Sequence, residues 1–185
     1  MNKIIPFPAK QPAKFGFARV KRRRKEHPQQ LNLFSPNLGE IRRLPTKFGP
    51  FEEALQLEER DGGRAEELYR QAIAEGDFVA DAYCNLGIIE SQAGRLAKAF
   101  DCFTKALEQD PRHFEAHYNL GNLYFDGNEL RLARMHYELA AEINPAFPNL
   151  YYNLGLVLAL LEEKRAAIDA FARYQLLAPP EERER

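Results

Sequence analysis

No apolar run in this chain is long enough to cross a bilayer. The longest, Leu154 to Leu161, is 8 residues, where a spanning helix needs about 20. Cysteine is scarce. Cys84 and Cys102 fall in mid-helix positions, form neither a disulfide framework nor a CxxC pair, and suit a reducing compartment. No apolar segment follows Lys3, so a secretory signal is not expected. Pro6, Pro8 and Pro12 argue against the amphipathic helix of a transit peptide. No Gly-rich phosphate loop follows a strand, and no strand is expected at all. His113 and His117 give His-x-Glu-x-His rather than the zinc-protease order, and they read as structural. These absences leave no catalytic residue, no metal site and no cofactor to assign, and they point to a cytoplasmic chain.

What is present is divided in charge. Residues 1–48 hold 12 Lys/Arg against 2 Asp/Glu, a net of +10; residues 49–185 hold 14 against 25, a net of −11. The chain therefore reads as a basic arm on an acidic body. Pro6, Pro8, Pro12, Pro28, Pro36 and Pro45 interrupt helix and strand in the arm, which is expected to be largely disordered. Lys21, Arg22, Arg23, Arg24 and Lys25 stand in a row and repel one another. They form a solubilising tail or a set of phosphate contacts for weak nucleic-acid binding. Gln30, Leu31, Leu33 and Phe34 form a short segment between prolines. It resembles the Gln-Leu-x-Leu-Phe peptide by which bacterial proteins dock on the replication sliding clamp. Alternatively, those side chains cover the end of the body.

The body is organised by a triplet. Asn85-Leu86-Gly87, Asn119-Leu120-Gly121 and Asn153-Leu154-Gly155 recur at intervals of 34 residues, the period of a stacked helix-turn-helix array. Apolar residues follow helix spacing throughout: Phe51, Ala54 and Leu55; then, past the loop Asp61-Gly62-Gly63, Ala65, Leu68, Tyr69, Ala72 and Ile73. The expected units are 49–79, 80–113, 114–147 and 148–179, with residues 180–185 a frayed end. The fold class is all-α: an α-solenoid of about four stacked antiparallel hairpins, the first degenerate.

Four further sets keep the same interval of 34 residues: Ala65, Ala99, Ala133 and Ala167; Tyr69, Phe103, Tyr137 and Phe171; Ala72, Ala106 and Ala140; Pro111, Pro145 and Pro179. With the recurrent glycines, these sets resemble the tetratricopeptide repeat. The resemblance covers residues 80–179 well and 50–79 partly. It implies that small residues let paired helices approach, aromatics fill the space between hairpins, and proline turns the chain. Four positions depart from it. Glu52 and Glu53 stand where Leu and Gly are expected, Asp77 replaces the closing Pro, and Tyr174 replaces the small Ala. Tyr174 fits only where no fifth hairpin follows, or where something else covers it. The outer face of the last helix then needs water tolerance or a partner, such as a second copy in a homodimer.

The resemblance also implies a concave face lined by first helices. The candidates there are Asn85, Asn119, Asn153, Tyr118, Asn122, Tyr152, Phe125 and Leu156. The three recurrent asparagines resemble the ladder by which the repeats of O-GlcNAc transferase hold peptides; alternatively they bond within the scaffold. An Asn amide both donates and accepts, so it matches a peptide backbone without reading its side chains. The lining lacks the Lys and Arg of a carboxylate clamp, so an apolar or basic-apolar peptide is expected. The chain's own arm, aromatic at Phe7, Phe15 and Phe17, is one candidate. The functional expectation is a non-catalytic scaffold binding another protein or peptide. The second is a nucleic-acid- or clamp-associated adaptor.

Overall fold

The computed structural model describes residues 13–21, 48–58 and 60–179. Among them are eight helices and no strand: α1 (Pro50–Leu57), α2 (Gly62–Glu75), α3 (Val79–Gln92), α4 (Leu96–Gln109), α5 (Phe114–Asp126), α6 (Leu130–Ile143), α7 (Pro148–Leu160) and α8 (Lys164–Leu177). Each odd-numbered helix packs on the helix that follows it. The described residues form two compact units, one within residues 19–110 and the other of residues 13–18 with 111–179.

The unit of residues 19–110 holds α1 to α4. The hairpin α1–α2 packs on α3 through α2. Its core is Phe51, Ala54, Ala65, Tyr69, Ala72, Ala82, Leu86, Ile88, Ala99, Phe103 and Ala106. One departure finds its reason here, and one expected boundary moves. The Asp77 side chain accepts the Phe51 backbone N–H at 3.2 Å. That N–H lies in the first turn of α1, where no intrahelical carbonyl is available. The Gly62-Gly63 stretch is not loop, as the composition suggested, but the first turn of α2. Asp61 caps it by accepting from Arg64 N at 3.1 Å, so the carboxylate, not the glycines, sets the boundary.

The unit of residues 13–18 and 111–179 holds α5 to α8, with α6 packed on α7. Its core gathers Phe114, Tyr118, Ala133, Tyr137, Ala140, Leu150, Leu154, Val157, Leu158, Ala167 and Ala170. Within each full hairpin the second helix lays an aromatic ring on the glycine of the first. A Cβ built at Gly87 would stand 2.7 Å from Phe103, at Gly121 2.5 Å from Tyr137, and at Gly155 2.7 Å from Phe171. No side chain fits there, which is why the triplet ends in glycine.

The turns between paired helices also repeat. Gly94, Asn128 and Glu162 share one register and one left-handed conformation, with φ of 74°, 59° and 63°. In each, the next residue's N–H returns to the helix: Arg95 to Glu90 O at 2.9 Å, Glu129 to Tyr124 O at 2.8 Å and Glu163 to Leu158 O at 2.9 Å. This closes the free carbonyls of the helix end.

Candidate site on the first-helix faces

Residues 13–21 have no helix or strand of their own, yet their main chain is fixed by the asparagines of the repeats. In the unit of α5 to α8, Asn153 Oδ1 accepts from Phe15 N at 2.8 Å, and Asn153 Nδ2 donates to Phe15 O at 3.0 Å. Asn119 treats Ala18 in the same way, accepting from its N–H at 2.7 Å and donating to its carbonyl at 2.8 Å. Between these points Asn122 Nδ2 donates to Gly16 O at 3.1 Å. In the other unit Asn85 accepts from Val20 N at 2.9 Å and donates to Val20 O at 3.0 Å. The amides of Asn85, Asn119 and Asn153 each satisfy both backbone groups of one residue, as a neighbouring strand would.

The spacing has a simple cause. Asn119 on α5 and Asn153 on α7 are equivalent positions of successive hairpins, and their bonds fall on Ala18 and Phe15, three residues apart. Three residues of extended chain cover about 10 Å. The step from Phe15 to Ala18 therefore matches one hairpin.

The asparagines are held from behind as well. Asn153 Nδ2 also lies 3.0 Å from Tyr118 Oη and 3.0 Å from Asn122 Oδ1, while Tyr137 Oη donates to Asn122 Oδ1 at 2.6 Å. Asn85 Nδ2 lies 3.2 Å from Tyr69 Oη, which donates to Glu58 Oε2 at 3.1 Å. Burial raises the pKa of the Tyr118, Tyr137 and Tyr69 hydroxyls, so they remain neutral. The sequence left two roles open for these asparagines, peptide ladder or scaffold bond. Asn85 and Asn153 each bond both the main chain of residues 13–21 and a group of the scaffold behind them.

Side chains add contacts to the main-chain bonds. The Phe15 ring meets Tyr152 edge-on at 5.1 Å and Tyr174 at 5.9 Å, against a cluster completed by Leu156 and Ala178. Tyr174 is only 2% exposed, so the large residue at the small-Ala position has its cover. Lys14 Nζ pairs with Asp126 at 3.2 Å and lies over the rings of Phe17 at 5.8 Å and Phe125 at 6.0 Å. In the other unit Arg19 pairs with Glu58 at 2.8 Å, and Val20 is fully buried.

Of the sequence-derived candidates, Asn85, Asn119, Asn122, Asn153, Tyr152, Phe125 and Leu156 lie at or beside the segment. Tyr118 is fully buried among Phe114, Tyr137 and Phe147 and acts on the site through its bond to Asn153. Lys21 is exposed; Arg22, Arg23, Arg24 and Lys25 lie outside the described residues, as do Gln30, Leu31, Leu33 and Phe34. His117 packs against His136, their Nδ1 atoms 3.1 Å apart, and its Nε2 lies 3.1 Å from Pro111 O. Among the described residues no cluster of three or more His, Cys, Asp or Glu is placed to hold a metal ion, and no helix is long and apolar enough to cross a membrane.

The reading of the sequence missed Glu58 and Asp126. A signal existed. Glu58, Gln92, Asp126 and Leu160 share one register at the 34-residue interval, at or next to the C-terminal end of each first helix, and its two acids are the ones that receive the arm's cations.

Three family models match the chain. Two described as "Tetratricopeptide repeat" cover residues 80–113 and 102–135, and one described as "TPR repeat" covers residues 121–161. Anaphase-promoting complex subunit 3 of Schizosaccharomyces pombe is 28% identical over 115 residues, 62% of this chain and 17% of that protein. Protein O-mannosyl-transferase TMTC3 of Homo sapiens is 29% identical over 115 residues, 62% of this chain and 12% of that protein. The chain thus spans under a fifth of the length of these relatives. Among solved structures, MamA shares the fold with a TM-score of 0.59 at 23% identity, covering 74% of this chain and 77% of that one. A MamA double mutant gives a TM-score of 0.60, also at 23% identity, over 69% and 72% of the two chains.

Proposed function

Because the chain belongs to the tetratricopeptide-repeat family, its repeats matched between residues 80 and 161, we propose that it is a non-catalytic protein-interaction scaffold. It takes an extended stretch of polypeptide along the first-helix faces. The observation that supports this most is the paired main-chain bonding by Asn85, Asn119 and Asn153 to residues 20, 18 and 15. Each such bond contributes roughly 0.5–1.5 kcal/mol net, and none depends on the side chain of the bound residue. The scaffold therefore reads chain direction and extension first, and side chains second. A subunit of a multiprotein assembly among the relatives is in keeping with that role.

The test is a peptide array probed with the full chain and with an Asn119→Ala, Asn153→Ala double variant. Peptides that bind the native chain should bind the variant at least tenfold more weakly. N-methylation of the ligand backbone at the residue facing Asn119 should abolish binding. Peptides that bind both forms equally, or whose binding disappears with added salt as phosphate contacts do, would defeat the reading.

A further inference from the structure

The side chains around residues 13–21 are not generic repeat surface. Tyr174 occupies the register that Ala72, Ala106 and Ala140 hold in the preceding units. There a small residue is the repeat's rule; here a tyrosine, with Tyr152 and Ala178, walls the Phe15 ring. Asp126 stands at the end of α5 opposite Lys14. Ala18 packs against the main core of the same unit. Gly16 places no demand, since a Cβ there would meet nothing within 4 Å. In the other unit Arg19 meets Glu58, whose side chain is 5% exposed, and Val20 is buried.

We propose that residues 13–18 are a resident occupant of the first-helix faces of α5 and α7. Their partner is a polypeptide of the same chemistry, a cation followed directly by an aromatic and, three residues on, a small aliphatic residue, which binds by displacing the chain's own segment. This rests on the scaffold reading above and names its ligand class. The resident segment is favoured by its tether. An attached segment acts at a local concentration on the order of millimolar, so a free peptide of micromolar intrinsic affinity is held off by a factor of about 100 or more. Loss of the aromatic anchor, worth about 30-fold for a ring in an aromatic pocket, releases most of that block. The partner is thereby admitted only when it is tethered nearby, abundant, or a better match than residues 13–18.

The experiment uses the full chain and a fluorescein-labelled peptide with the sequence of residues 10–22, followed by anisotropy. The Phe15→Ala chain should bind this peptide at least tenfold more tightly than the wild-type chain. A peptide carrying Phe15→Ala should bind that variant at least tenfold more weakly. Charge reversal gives a second readout that spares the core: Asp126→Lys, added to the Phe15→Ala chain, should weaken the peptide severalfold, and a peptide with Lys14→Glu should restore it. A scrambled peptide binding the Phe15→Ala chain as tightly as the native sequence would overturn the ligand class, yet leave the extended-peptide scaffold standing. Absence of binding by either peptide would also overturn the proposal, with the array deciding the scaffold reading separately. A wild-type dimer that Phe15→Ala converts to monomer would place the segment between copies and refute residence within one chain.

Discussion

Gly121→Ala adds one methyl group where the chain has no room. The new Cβ would stand 2.5 Å from Tyr137 Cε1 and 2.6 Å from Cδ1, well inside contact distance. Whether the ring can yield decides the cost. Tyr137 is fully buried, lies 5.9 Å from the Tyr118 ring, and its hydroxyl donates to Asn122 at 2.6 Å. Moving it breaks a buried bond, so the penalty belongs at the upper end of the overpacking range, about 3 kcal/mol. Alanine in place of glycine returns about 1 kcal/mol of helix propensity, leaving a net loss of about 2 kcal/mol. Gly155→Ala makes a comparable clash, 2.7 Å from Phe171 Cε1. Phe171, however, is half-buried on α8 and has no hydroxyl to anchor it. Its ring tilts outward, the clash falls to about 1 kcal/mol, and the propensity gain cancels it. For a chain of this size the melting temperature should fall by about 4–8 °C for Gly121→Ala and by less than about 2 °C for Gly155→Ala. Circular dichroism at 222 nm with heating, repeated with urea, reads both. Adding Tyr137→Phe to Gly121→Ala should recover part of the loss, as a coupled pair must. Equal shifts for the two alanine variants, or additive behaviour of Gly121→Ala with Tyr137→Phe, would refute the anchored-ring argument.

Two further perturbations follow from particular atoms. Glu162 holds a φ of 63° that costs a non-glycine residue about 1 kcal/mol, so Glu162→Gly should raise the urea midpoint by an equivalent amount; no change would mean the turn is unstrained. His136 has its pKa lowered from 6.5 to about 4, first by burial and then by the adjacent His117. The fold therefore favours the neutral ring: its contribution is complete above pH 6.5 and is lost as pH falls toward 4. Discounted for the exposed part of the ring, the loss is about 1–2 kcal/mol, and His136→Gln should flatten the stability profile over that interval. An unchanged profile would show that His136 is not the titrating group.

The hairpins were legible because periodicity is a local signal repeated. Helix spacing within a unit and the 34-residue interval between units survive the loss of any one position, as the degenerate first hairpin demonstrates. Asp77 was legible only as an absence of proline. Its bond to Phe51 spans 26 residues, and nothing in the neighbouring sequence announces it. The start of α2 was misplaced for a related reason: two glycines argue for a loop until the capping carboxylate of Asp61 is weighed against them. The aromatic, basic character of the arm around Phe15 and Phe17 made it a candidate occupant, but which of its residues meets which asparagine had no signal in the sequence. Extended chain has no side-chain period unless a sheet imposes one, and its partners lie 65, 101 and 138 residues away.

What distinguishes this chain from a uniform array is therefore concentrated at the positions that break the repeat. A repeat residue is fixed by its neighbours above and below, since every hairpin buries its apolar face on another. A residue that departs from the pattern, yet is buried, must be answering to something outside that stack. Tyr174 is 2% exposed and answers to Phe15. The side chain of Glu58 is 5% exposed and answers to Arg19. Asp77 is 8% exposed and answers to the start of α1. The partners of Tyr174 and Glu58 belong to residues 13–21, an extended segment and not another helix of the repeats. The asparagines would serve any extended backbone; in the proposal above it is the tyrosine and the carboxylates that select a basic, aromatic occupant.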